Sequence, residues 1–265
     1  MSVNSLKKHI SVELLKSKFT SLCYPSQSDL YKILVNELKS RNYNVYYNDQ
    51  GDNCSKYIYA QGEIPICLVA HLDTVFTPDR NPRININGNT ITSPDGLGAD
   101  DRLGVFMILE LIKEYKCNVL FLADEEHGHS GALYFIDGPY RELFMQNNNF
   151  IIGLDLSRSN ILTFYKTENK EFQNDIINIL PNYEIRDPKE GSSDIVDISI
   201  GKHSYNKFGK KEDYEGTNVA SLNIGIGYYN EHTLNEYVNF NETIQVLDDV
   251  KSLIVKMPNK KYTVK

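Results

Sequence analysis

Acidic and imidazole side chains recur in five short segments, each just after an apolar run or in the loop that follows one. The first is Ala70-His71-Leu72-Asp73-Thr74-Val75. In extended chain, residues i and i+2 point to the same side, so Asp73 can orient the His71 ring. A metal-bound imidazole needs such an acceptor on its other nitrogen. The second is Gly98-Ala99-Asp100-Asp101-Arg102-Leu103-Gly104, at the start of a helical pattern. The third is Ala123-Asp124-Glu125-Glu126-His127-Gly128, the fourth Gly153-Leu154-Asp155-Leu156, and the fifth Tyr229-Asn230-Glu231-His232-Thr233. Taken singly, each has an ordinary explanation. A loop His or Asp caps a helix or is solvated, and acidic pairs at helix starts complement the dipole. The ordered set of five goes beyond that, because strand ends of open α/β sheets are where ligands bind.

The elements that must position these groups are legible in the apolar patterning. Residues 10–22 and 28–40 show helical spacing; Leu30, Ile33, Leu34 and Leu38 would line one face of the second helix, with Ser26 or Ser28 as its cap. Residues 43–47 and 56–61 read as strands joined by a turn at Asp49-Gln50-Gly51-Asp52-Asn53. Residues 64–70 are almost wholly apolar, as in a central strand covered on both faces. Residues 83–93 read as a hairpin turning at Asn87-Gly88-Asn89. Beyond residue 100, helices (103–115, 131–145, 170–180) alternate with strands (118–123, 150–155, 161–165). Residues 187–217 are loop-like, with a strand around 195–200. A strand at 218–226 and an amphipathic helix at 243–257 close the chain. This alternation predicts an α/β three-layer sandwich, a mixed and largely parallel sheet flanked by helices. With no repeat or low-complexity linker, residues 1–265 read as one domain.

At this point the sequence resembles the co-catalytic zinc exopeptidases of the M20 and M28 clans, which include the peptidase T, carboxypeptidase G and aminopeptidase groups. The likeness runs from about Tyr24 to Tyr237. It rests on AHLDTV, GADDRLG, DEEHG, GLDL and YYNEHT, in the family's order. The resemblance implies that His71 and Asp155 bind one metal, Glu126 and His232 the other, and that Asp100 bridges them. Asp100 is chosen over Asp101 because the family's bridging Asp stands four residues before the glycine matched by Gly104; Asp101 as the ligand is the alternative. Glu125 matches the catalytic base, and Asp73 the residue that orients the first His. Two His and three carboxylates suit Zn²⁺, with Mn²⁺ or Co²⁺ as alternatives. Two such cations, ~3.5–4 Å apart, polarise a carbonyl and lower the pKa of a bound water. Tyr228, Tyr229 and His203 are candidate oxyanion donors; each could equally be a packing or surface residue.

The stretch from Asp155 to His232 is too short to house the lid and dimerisation domain of many M20 members. The 187–217 segment, with Gly191-Ser192-Ser193-Asp194, is a candidate substitute wall for the substrate pocket, or else a surface loop. The expected function is a di-metal peptidase, an aminopeptidase or small-peptide exopeptidase. An amidase or deacylase acting on N-acyl amino acids or cell-wall peptides is the alternative. An inactive binding protein on this scaffold is a third reading, although none of the five ligands is missing. The site loops are more acidic than basic, which favours reading a substrate's amino end. The expected partner is a small peptide or N-acyl amino acid, and the oligomeric state is left open.

Composition bounds the alternatives. Among 265 residues, Asp and Glu number 35 against 28 Lys and Arg, for a net charge of -7. That balance argues against nucleic acid, which calls for a basic face. Cys23, Cys54, Cys67 and Cys117 form no C-x-x-C pair, so neither a zinc knuckle nor a disulfide scaffold is expected. The first residues show no secretory leader, and no stretch approaches the ~20 apolar residues of a membrane span. A cytoplasmic enzyme that does not engage membranes is the expectation.

Overall fold

Two helices lead the chain, α1 (Val3–Leu22) and α2 (Gln27–Ser40). The computed structural model describes residues 3–48, 56–76, 81–186, 193–205 and 211–265. The α2 helix starts where Ser26 Oγ accepts the Asp29 N–H at 3.1 Å, the cap expected from sequence. Its buried face carries Leu30, Leu34 and Leu38 together with Tyr31 and Val35. Ile33, expected on that face, lies outside it and is half exposed. The expected turn at 49–53 lies outside the described residues.

The remaining elements follow in order. Strands β1 (Asn44–Tyr47), β2 (Tyr57–Gln61) and β3 (Ile64–His71) precede the hairpin β4 (Asn85–Asn87) and β5 (Thr90–Thr92). Next come α3 (Ala99–Leu111), β6 (Cys117–Leu122), α4 (Ser130–Ile136), α5 (Arg141–Asn147), β7 (Phe150–Leu156) and β8 (Ser159–Thr163). Then follow α6 (Lys170–Ile179), β9 (Glu184–Ile185), α7 (Asp194–Ile200), β10 (Gly201–Tyr205) and β11 (Lys211–Glu215). The chain closes with β12 (Ser221–Ile226), β13 (Tyr228–Tyr229), β14 (Tyr237–Asn239) and α8 (Phe240–Lys256).

The main sheet has the order β1-β2-β6-β3-β7-β12-β8-β9. Its four central strands, β6, β3, β7 and β12, are mutually parallel, and β2 and β8 flank them, each antiparallel to its central neighbour. Alternate residues face opposite layers. Leu68, Ala70, Val119, Phe121, Ile152 and Leu154 pack in one core with α1, α2, α3, α6 and α8. Cys67, Val69, Leu120, Leu122 and Ile151 pack in the other with α4, α5 and α7. Burial on both faces explains why these strands are apolar throughout; each fully buried aliphatic or aromatic side chain contributes about 1.5–3 kcal/mol. The layers are those the sequence predicts.

The segment expected as a strand around 195–200 is instead α7. Its alternating Ile and Val positions suit either element. Ile195 and Ile198, three apart, are the ones that reach the core beneath the sheet, which selects the helix. The 187–217 segment also carries the ribbon of β10 and β11.

Chain order creates the crevice. From β3 the chain passes through α3 to β6 on one side, then through α4 and α5 to β7 on the other. Those connections lie on opposite faces, so the carboxyl end of β3 is a switch point of the kind where ligands bind. A smaller sheet, β13-β14-β5-β4, brings the 230–236 loop over that point. No helix of the described residues is long and apolar enough to cross a membrane.

Candidate metal centre

Five predicted ligands converge at the switch point. His71 ends β3, Asp155 lies near the end of β7, Glu126 follows β6, Asp100 opens α3, and His232 sits between β13 and β14. His71 Nε2 is 3.0 Å from Asp100 Oδ1 and 3.5 Å from Asp155 Oδ1. His232 Nε2 is 3.1 Å from Asp100 Oδ2 and 3.0 Å from Glu126 Oε1. Two donor clusters result, His71-Asp100-Asp155 and Asp100-Glu126-His232, with Asp100 in both and one of its oxygens turned to each.

Asp101, the alternative ligand, points elsewhere. Its Oδ2 accepts the His71 N–H at 3.1 Å and its Oδ1 the Gly104 N–H at 3.0 Å, so it pins the end of β3 to the start of α3. The peptide joining Asp100 to Asp101 is cis. Gly104 leaves room for this arrangement. A Cβ there would lie 2.2 Å from the Leu154 carbonyl and 2.4 Å from Asp101 Oδ1, closer than any side chain can pack.

Asp73 ties two segments together. Its oxygens accept the N–H groups of Glu125 and Glu126, each at 3.0 Å, and Oδ1 approaches His71 Nδ1 to 3.3 Å. The approach lacks good hydrogen-bond geometry, since His71 Nδ1 has no formal partner. Asp73 therefore fixes the Glu125–Glu126 loop at least as firmly as it does the ring.

Four further residues support the centre without having been singled out from sequence. Glu236, buried, accepts the Gly98 N–H at 2.6 Å and the Asp100 N–H at 3.1 Å, holding the backbone of the residue common to both clusters. Asn223 on β12 brackets Asp155: its Oδ1 accepts the Asp155 N–H and its Nδ2 donates to the Asp155 carbonyl, both at 3.0 Å. His129 Nε2 lies 3.3 Å from Glu125 Oε1, and its Nδ1 lies 2.8 Å from Asp197 Oδ2. One signal was available for Asn223, an amide midway along a strand rich in apolar residues, because a buried polar group needs partners. Glu236, His129 and Asp197 carry no comparable local signal.

The electrostatics fit a cation pair. Burial, reinforced by Asp100, pushes Asp155 up to about 7 against the pull of His71, and does the same to Glu126, also to about 7. Burial opposes charge on Asp100 too, but hydrogen bonds from His232 and His71 hold its carboxyl well below the usual range. The hydrogen bond to Asp100 pushes His232 up to about 9. Without metal, then, burial and mutual repulsion disfavour charge on Asp155 and Glu126, and the imidazoles offset that repulsion. Divalent cations there would neutralise the carboxylates and take up the two Nε2 lone pairs. The donor set and its convergence thus fit a pair of divalent ions.

His129 is a fixed cation behind this layer. Burial disfavours its charge, but the contacts to Asp197 and Glu125 outweigh it and push its pKa up to about 10. Asp194, buried beside it, has no hydrogen-bond partner on either oxygen among the described residues, and burial pushes its carboxyl well above the usual carboxylate range.

A cavity of about 300 Å³ opens on the clusters, lined in part by Asp100, Glu125, Asp155, Tyr228, Glu231 and His232. Of the candidate donors, Tyr228 is on its wall, whereas the Tyr229 hydroxyl donates to Glu242 and its ring stacks on Tyr237. The side chain of His203 lies outside the described residues. Ser193, from the segment considered as a pocket wall, donates to Asp155 Oδ2 at 3.3 Å; Gly191 and Ser192 lie outside the described residues.

No family model matches the chain, and no curated protein matches it. Solved structures do. Aminopeptidase PepT from Bacillus cereus superposes with a TM-score of 0.62 at 14% identity, over 93% of this chain and 98% of that one. A tripeptidase from Staphylococcus aureus gives 0.61 at 15% identity, over 92% and 97%. Aminopeptidase APDkam598 from the archaeon Desulfurococcus kamchatkensis gives 0.59 at 16% identity, over 96% and 95%. At these identities the likeness concerns the fold: the chain has the α/β architecture of these peptidases.

Proposed function

We propose that the chain is a co-catalytic metallopeptidase that binds two divalent ions, Zn²⁺ before Mn²⁺ or Co²⁺, and removes residues from small peptides. The observation that carries this reading is the sharing of Asp100 between two His-carboxylate clusters. The names of the structural neighbours, aminopeptidases and a tripeptidase, support it. So do the M20- and M28-like motifs in the sequence.

His71, Asp100 and Asp155 hold one ion; Asp100, Glu126 and His232 hold the other. When bound, such ions supply Lewis acidity to the substrate carbonyl and acidify the attacking water. Glu125 lines the cavity and acts as the base. With Oε1 held against His129, its Oε2 takes the water's proton and passes it to the leaving amine. Asp73 orients the loop that carries Glu125, and Glu236 holds the backbone of Asp100. Tyr228, on the cavity wall, is the candidate donor to the developing oxyanion. The acidic cavity wall suits a substrate ammonium group, which favours the amino end. Residues 1–265 act as one catalytic unit.

The test combines metal content with a substrate panel. Protein purified without chelator should carry close to two transition-metal ions per chain and hydrolyse aminoacyl anilides. Glu125→Gln should keep both ions and lose about 10²–10⁴-fold in turnover. Activity confined to N-acyl amino acids would make the enzyme a deacylase. Full activity in Glu125→Gln would refute the assigned base.

A further inference from the structure

A glutamate that serves as a base must keep one oxygen aimed at the water, yet its terminal torsion is soft. Glu125 lies in the turn between β6 and α4. His129 ends that turn, with its backbone in the left-handed region at φ +62°. Its N–H donates to the Glu125 carbonyl at 3.2 Å, and its ring Nε2 lies 3.3 Å from Glu125 Oε1. The other ring nitrogen, Nδ1, lies 2.8 Å from Oδ2 of Asp197, on the first turn of α7. The side chains of Glu125, His129 and Asp197 are 12%, 11% and 6% exposed, so these contacts work largely out of water.

Both ring nitrogens face carboxylate oxygens, and an imidazole donates from both only when charged. Burial opposes that charge, but the contacts to Asp197 and Glu125 win and push the ring up to about 10. At neutral pH the ring is therefore a double donor, which cannot take a proton from Glu125. That separates it from the imidazole of a serine-type triad, which receives the nucleophile's proton. The ring holds Oε1 and leaves proton transfer to Oε2. Of the two acidic residues on the first turn of α7, Asp197 is the one in contact with it. The same helix reaches the metal centre at its start, where Ser193 donates to Asp155 Oδ2 at 3.3 Å.

We infer that Asp197 and His129 are a positioning pair for the base: α7 holds Asp197 against the imidazole, and the imidazole holds Glu125 with Oε2 turned to the cavity. The inference rests on the peptidase reading for what Glu125 does, but not for how its carboxylate is held. The start of α7 thus belongs to the frame of the site, steadying a ligand through Ser193 and the base through Asp197.

His129→Asn and His129→Gln divide the contact. The Asn amide reaches about as far as Nδ1, towards Asp197, and falls short of Glu125. The Gln amide reaches about as far as Nε2 and keeps a donor on Oε1. With the zinc-loaded full chain acting on an aminoacyl anilide, His129→Asn should lower kcat about 10- to 100-fold, part of the roughly 10²–10⁴-fold that a positioned base supplies. KM and the number of bound ions should not change. His129→Gln should recover most of the loss, and Asp197→Asn should fall between the two. Equal kcat losses in the Asn and Gln variants, or a defect confined to KM or metal content, would overturn the proposal.

A single substitution that leaves a buried charge unpaired can prevent folding. The double variant His129→Leu/Asp197→Leu removes both charges together, a change that buried pairs often tolerate. It should fold, keep its ions and show the kcat loss of His129→Asn; full turnover would overturn the pairing. Crystal structures of the native protein, His129→Asn and His129→Gln supply a readout without turnover. The Glu125 carboxylate should turn away in the Asn variant and stay in place in the Gln variant. If it does so while the native protein hydrolyses no peptide, the peptidase reading falls and this one stands. A carboxylate unmoved in both variants would overturn the positioning role whatever the activity.

Discussion

The two halves of the centre are held in different ways. His71 is the last residue of a central strand; its ring is 2% exposed, Asp101 pins its backbone and Asp73 lies against its far nitrogen. His232 sits in a loop between two short edge strands, at φ +63°. Its ring is 50% exposed, and among the described residues its Nδ1 has no partner. One cluster is built on the sheet, and the other is completed by a loop that must stay docked. Preorganised ligands lose little freedom on binding a metal, whereas a loop ligand has to be ordered each time. The sheet-borne site should therefore be the tighter one, and the loop-borne site the one that exchanges.

The largest test of that contrast removes the residue common to both halves. Asp100→Ala should lower bound metal from two ions to at most one, by elemental analysis, and cost about 10³-fold or more in turnover. Two ions still bound would mean that Asp100 is not the bridge.

Next come the imidazoles themselves. His232→Ala should release one ion and leave the His71 site filled, while His71→Ala should weaken both through Asp100. Each loss should exceed the 10- to 100-fold in affinity that outer hydrogen-bond partners contribute. In a chelator titration of the native protein, one ion should leave before the other. Equal affinities would erase the proposed difference.

Asp73→Asn gives a smaller and sharper reading. It removes a charge near His71 and one of the acceptors for the Glu125–Glu126 loop. Metal affinity should fall 10- to 100-fold. If only the His232 site weakens, Asp73 works through the loop; if only the His71 site does, it works through the ring.

The smallest effect concerns His129, which touches neither cluster. Its folded pKa, about 10, exceeds the unfolded value near 6.5. The stability it contributes is complete below the unfolded value and is lost as pH rises through about 10. In the metal-free protein, His129→Asn should cost about 1–3 kcal/mol at pH 6 by denaturant unfolding. The difference should close above pH 10. A constant penalty across that range would show that the ring acts by packing rather than by charge.

Much of this arrangement was legible in the chain. Apolar runs such as Cys67 to Ala70 and Val119 to Leu122 announce strands buried on both faces, because a strand in the middle of a sandwich has no polar side. Ser26 before its helix and Asn87-Gly88-Asn89 between two strands are local hydrogen-bond and turn chemistry. Four of the site segments stand out because they place their charged groups at or just beyond the end of an apolar run; the other, Asp100-Asp101, stands at the start of a helix. Ile33 and the Ile195 to Ile200 segment read ambiguously. Their side chains fit two faces or two periods, and only packing against the rest of the core selects one.

The sequence by itself determined the layers and the residue types that meet at the switch point, since periodicity and short-range contacts act over a few residues. Tertiary structure alone decided which oxygen of Asp100 faces which histidine. It also decided that Glu236 would hold the Asp100 backbone, that Asn223 would bracket Asp155 and that Asp197 would reach His129. Those contacts join segments tens to more than a hundred residues apart. A lone polar side chain shows no period, and its partner exists only once the chain has closed around it.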